Sequence, residues 1–142
     1  MSILLGAGLF IAEHVMPRVG RPEIMLSLAR LDLRFELPLY VAHLRSKGIA
    51  VNDSYYQDDS IYKCVNNPTS KEMFSLLGAQ HYEDIDINSS GGCTITHDLN
   101  EPVPQYLHER YDFVFEHGTL EHVFDIKTAL SSVTQMIKVG GW

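Results

Sequence analysis

Tyr111-Asp-Phe-Val-Phe-Glu-His-Gly-Thr-Leu-Glu-His-Val-Phe-Asp125, followed by Lys138-Val-Gly-Gly-Trp142, decides the fold. An aromatic residue and an acid lead into the apolar run Phe113-Val-Phe115, the pattern of a buried strand over 111–116. A turn carrying two Glu-His pairs follows. The spacing then predicts an amphipathic helix from about Phe124 to Lys138, ended by glycine.

Working backwards, Cys93-Thr-Ile-Thr-His97 and Tyr82-Glu-Asp-Ile-Asp-Ile87 read as two more strands. Ser70, Met73, Phe74 and Leu77 predict a short helix capped by Ser70 and ended by Gly78. The polar stretch at about 49–70, with Tyr55, Tyr56 and Tyr62, reads as an irregular insertion. Leu37 to Lys47 has helical periodicity and stops at Gly48. Glu23-Ile-Met-Leu-Ser-Leu-Ala29 has the mostly apolar run of a strand buried on both faces. Pro17, Gly20 and Pro22 separate it from an N-terminal helix within residues 1–20, where Ile3 to Ala12 is apolar. That apolar start has no basic lead-in and is too short for a membrane span.

Strands alternating with helices predict a single α/β domain over 1–142, an open and mostly parallel Rossmann-like sheet with flanking helices. With 142 residues, 45% hydrophobic and 20% charged, the composition is that of a globular domain. A formal net charge of −7 argues against a nucleic-acid groove, so no nucleic-acid or membrane partner is expected. Cys64 and Cys93 form no CxxC pair and read as reduced thiols, which points to a cytoplasmic protein and to no metal. Polar residues gather at the expected carboxyl ends of the strands, where ligands of such sheets bind.

From Phe74 through Trp142 the chain resembles class I S-adenosylmethionine (SAM)-dependent methyltransferases. The resemblance rests on Leu77-Gly-Ala79, the acidic strand end Asp84-Ile-Asp86, Asp98-Leu-Asn-Glu-Pro102, and Gly118-Thr-Leu-Glu-His-Val-Phe124 in that order. It implies SAM as cofactor and transfer of its methyl group to an acceptor, more readily a small molecule than a macromolecule. It implies that Asp86, with Ile87 beside it, takes the ribose hydroxyls, and that Asp98 and Leu99 face the adenine. Glu116, His117 and Gly118 would form the cofactor-facing loop, and Asp112 matches the family's strand-four acid. His122 and Glu121 are the candidate catalytic bases.

The first strand departs from the family. Its glycine-rich turn, through which backbone N–H groups approach the cofactor, aligns with Ser27-Leu-Ala-Arg-Leu-Asp-Leu33, which has no glycine. Ala29 and Arg30 stand there, with Arg30 expected to face the cofactor's carboxylate. The alternative is a non-catalytic Rossmann-like module or fragment that has lost SAM binding. A metal-dependent hydrolase is a further alternative, since His97, Asp98, Glu116, His117, Glu121 and His122 could converge. His117-Gly-Thr-Leu-Glu-His122 is one residue too long for the His-x-x-Glu-His motif of zinc proteases. Family members continue from Gly-Gly into another strand. Against that pattern the fold is expected to be incomplete at its C-terminal end, leaving strand 111–116 with an exposed edge open to homodimer formation.

Overall fold

The computed structural model describes residues 2–56, 67–89 and 91–142. In chain order its elements are β1 (Ser2–Ile3), α1 (Leu5–Phe10), a π-helical turn (Ile11–Val15), α2 (Met16–Val19), β2 (Ile24–Leu28), β3 (Asp32–Leu33), α3 (Leu37–Ser46) and α4 (Asp53–Tyr56). There follow α5 (Ser70–Leu76), β4 (His81–Asp86), β5 (Ile95–Thr96), a 3-10 turn (Gln105–Leu107), β6 (Phe113–Phe115), a second 3-10 turn (Leu120–His122) and α6 (Ile126–Met136). Two compact units form, Met1–Arg21 with Leu31–Gln80, and Pro22–Arg30 with His81–Trp142. Tyr62 and Cys64, within the expected insertion, lie outside the described residues.

In the second unit the sheet order is β5-β4-β2-β6, with all three pairings parallel. The first strand of this sheet therefore lies between the second and the last, the reversal point of a doubly wound α/β fold. Met25, Leu26 and Leu28 are fully buried, as a central parallel strand requires. One core cluster joins Leu26, Leu28 and Ile85 of the sheet to Ala129 and Met136 of α6 and to Leu99, Val103, Leu107 and Tyr111. Helix α6 starts where the Asp125 carboxylate accepts the Thr128 N–H at 3.0 Å.

The amino edge of this sheet is clamped by charge. Asp112 accepts the Ile24 N–H at 2.9 Å and the Lys138 ammonium at 2.8 Å. Burial opposes its ionised form, but those donors outweigh it and hold the carboxyl below its ordinary range. Glu83 takes the Tyr111 hydroxyl at 2.6 Å and the Arg110 guanidinium at 2.5 Å. Burial, followed by the Glu83 bond, pushes the Tyr111 hydroxyl well above its usual value.

The edge of strand 111–116, expected to be open, is covered over Tyr111–Val114 by residues 137–142. Ile137 bridges Tyr111 in parallel, and the Lys138 N–H donates to Tyr111 O at 2.9 Å. The Trp142 N–H donates to Asp112 O at 3.0 Å, and Trp142 O accepts the Val114 N–H at 2.9 Å. The Gly140-Gly141 turn makes this return feasible. A Cβ on Gly141 would stand 2.7 Å from Ile137 and 3.0 Å from the Asp112 carbonyl.

In the first unit Ser2–Ile3 pairs in parallel with Asp32–Leu33, so the N-terminal helical run begins only at Leu5. Tyr40 is fully buried and donates its hydroxyl to Gly8 O at 2.9 Å. The cap of α5 is Thr69 rather than Ser70, since the Glu72 carboxylate accepts both the Thr69 N–H and its hydroxyl at 2.7 Å. Ser70 is buried instead, donating its N–H to Leu31 O at 2.7 Å. Among the described residues no helix is long and apolar enough to cross a membrane.

Candidate functional site

Because the four strands are parallel, the residues after Leu28, Asp86, Thr96 and Phe115 leave the sheet at one carboxyl edge. All eleven residues expected in the site lie at or beyond those ends. They differ in what their side chains do there.

Behind β2, Ser27 is fully buried and donates its hydroxyl to Ala29 O at 2.8 Å. Ala29 donates its N–H to Ile85 O at 2.8 Å and has φ 75. That is the left-handed region, costly for a residue with a Cβ by about 1–2 kcal/mol. The turn thus holds at Ala29 a backbone conformation that glycine adopts more readily.

Arg30 bonds within its own unit. Its Nε donates to Asp84 Oδ2 at 2.7 Å and its Nη1 to Gly91 O at 2.9 Å. The Asp84 side chain has no solvent exposure. Its Oδ1 also accepts the Thr94 N–H at 2.6 Å and the Thr94 hydroxyl at 2.9 Å. A buried carboxylate needs such a full set of donors, which explains where the guanidinium goes.

At the end of β4, Asp86 is half-buried and its Oδ1 accepts the Asn88 N–H at 3.3 Å. Ile87 is 63% exposed, an apolar surface beside that carboxylate. Beyond β5, Asp98 Oδ1 accepts the Asn100 N–H at 2.9 Å and the Asn100 Nδ2 at 2.7 Å. These two bonds hold the Asp98 carboxyl below its usual range. Leu99 is buried in the core cluster, against which Leu120 and Val123 pack. Its apolar character serves the core.

Beyond β6, the Glu116 carboxylate accepts the N–H groups of Thr119 at 2.7 Å and Leu120 at 3.1 Å, capping the 3-10 turn that follows. His117 stacks on Phe115 with ring centroids 6.0 Å apart. Gly118 has φ 87 and reverses the chain between them. The Thr119 hydroxyl donates to Leu28 O at 2.5 Å, tying this loop to the end of the central strand. Glu121 and His122 stand 3.5 Å apart, and both side chains are about two-thirds exposed, at 70% and 68%. A proton acceptor there works at the surface, not in a dry cavity.

Sequence reasoning missed Thr94, Asn100 and Thr119. The motif strings contained Asn100 and Thr119, but only the fold shows what they bind. Among the described residues no three His, Cys, Asp or Glu side chains gather as a metal-holding group, so the hydrolase alternative lacks a donor set. An open hollow of about 730 Å³ lined by Gln105, His108, Glu109, Gln135 and Lys138 lies at the start of the β6 segment, away from the carboxyl edge. No family model, curated protein or solved structure matches the chain.

Proposed function

We propose that the unit built on the four-stranded sheet binds SAM at its carboxyl edge and directs its methyl group to a small-molecule acceptor. The observation that carries this reading is Ala29. At the end of the central strand, at the reversal point of the sheet, the backbone holds the left-handed geometry that the resembling family obtains with glycine. Strain retained at such a position is characteristic of a ligand turn.

The carboxylates fit the cofactor's donors. Asp86, at the end of the neighbouring strand, offers two oxygens to vicinal ribose hydroxyls. Asp98, held ionised by Asn100, is an acceptor for the amino group of an adenine. The Glu116–Thr119 loop, fixed to Leu28 O, forms the wall between them and the 3-10 turn. The cofactor supplies an electrophilic methyl group on a sulfonium. The chain's own part is orientation of the reacting atoms, with the exposed Glu121-His122 pair able to accept a proton from an acceptor arriving from solvent.

A non-catalytic module is the second reading, supported by Arg30. Its guanidinium is bonded to Asp84 and to Gly91 O, and Glu121 and His122 are open to solvent. Calorimetric titration with S-adenosylhomocysteine tests both. Micromolar binding supports the cofactor site, and no heat at millimolar ligand removes it and leaves the module.

A further inference from the structure

The first unit contains a hollow of about 360 Å³ between the end of α5 and the segment that leads into α4. Hydrogen bonds tie its walls together. The Asn52 N–H donates to Leu76 O at 2.8 Å and the Asn52 Nδ2 to Ser75 O at 3.3 Å. Arg21 lines the same hollow, with its stem lying against Gly78. A Cβ at that glycine would stand 3.1 Å from Arg21 Cγ and 3.3 Å from its Cδ. Gly78 also has φ 100, so one glycine serves both the turn after α5 and the seat of the arginine.

The polar side chains of the hollow divide into two groups. Asp53 is neutralised by Arg45, whose Nη2 lies 2.7 Å from its Oδ1. Ser54 donates its hydroxyl to Asn52 Oδ1 at 2.7 Å. Arg21 and Gln80, both exposed, have no hydrogen-bond or ion-pair partner among the described residues. The hollow therefore offers one uncompensated guanidinium and one amide, beside the apolar surface of Ala50, Val51 and Leu77.

That set discriminates between ligands. A guanidinium presents parallel N–H groups to the two oxygens of a carboxylate, and the amide adds a further donor. The Asp53 carboxylate lines the same space without a second unpaired cation among the described lining residues, so a monoanion is favoured over a dianion such as phosphate. Apolar atoms in the wall suit a hydrocarbon body. We infer that the hollow binds a small monocarboxylate with an apolar body, its carboxylate held by Arg21 and Gln80. All the lining residues belong to the first unit, so this site does not rest on the cofactor reading above.

The test is a titration of the isotope-labelled chain with benzoate, followed by two-dimensional NMR. Saturable shifts are expected at the backbone amides of Asn52, Gly78 and Gln80 and at the Arg21 Nε–H. Benzamide, which keeps the shape and lacks the charge, should bind about tenfold more weakly, the loss of a charge-assisted pair. Arg21→Gln should weaken benzoate by roughly tenfold, with the melting temperature close to wild type because the side chain is exposed. Arg21→Lys keeps the charge without the planar fork, should lose about threefold, and replaces Arg21→Gln if that variant does not fold. Inorganic phosphate saturating the same shifts at lower concentration than benzoate overturns the monocarboxylate assignment. Absence of saturable shifts with benzoate, or equal affinity in wild type and the Arg21 variants, overturns the site itself.

Discussion

Arg30 Nε lies 2.7 Å from Asp84 Oδ2, joining the turn after the central strand to the strand beside it through a carboxylate with no solvent exposure. The pair gives the carboxyl edge rigidity.

Arg30→Ala should therefore destabilise the chain by about 3 kcal/mol, because it leaves Asp84 charged and buried. Arg30→Met with Asp84→Asn should cost clearly less than Arg30→Ala alone. Urea unfolding of the three variants measures this. A loss under about 1 kcal/mol in Arg30→Ala would mean the pair contributes no more than a surface contact.

Ala29→Gly releases the left-handed strain, about 1–2 kcal/mol, and adds flexibility to the unfolded chain, about 0.4–1 kcal/mol. The expected result is a small gain in stability. Ala29→Val, with a branched Cβ at φ 75, should lose stability clearly. Thermal denaturation in which valine is tolerated as well as glycine would contradict that backbone geometry.

Asp112 carries a pH signature. Its folded carboxyl titrates below the ordinary aspartate range, so the stabilisation is complete above the unfolded pKa of about 3.9 and is lost as pH falls through the folded value. The stability gap between wild type and Asp112→Asn should be wide at neutral pH and narrow at the acid end. A gap independent of pH would show that the Lys138 bond adds nothing to stability.

For the cofactor site, Asp86→Ala should weaken S-adenosylhomocysteine binding by roughly 1–3 kcal/mol, the loss of charge-assisted bonds to ribose. Its own Asn88 contact is long at 3.3 Å, so folding should be little affected. Equal affinity in variant and wild type would remove Asp86 from the site.

The strands and their order could be read from the sequence because their signals are local and strong. The apolar run 24–28, the acid-ended strand at 81–86 and the aromatic strand at 113–115 each stand out against polar flanks. Four features were not legible. A two-residue strand such as Ser2–Ile3 has no period to detect. Arg30 and Asp84 are 54 positions apart, so only the sheet register shows that they meet. Leu99 looked like a ligand contact because it follows an acid, and tertiary packing drew it into the core. Thr69 and Ser70 are both good helix caps, and the choice fell to whichever could reach Glu72.

Trp142 is the only tryptophan in the sequence, and its backbone is bonded to Asp112 and Val114 on the outer side of β6. The sheet margin therefore carries its own optical label. Fluorescence anisotropy of that indole reports whether the 137–142 segment is docked, without any dye or added residue. Release of the margin ahead of global unfolding would appear as a fall in anisotropy while the far-ultraviolet dichroism is unchanged.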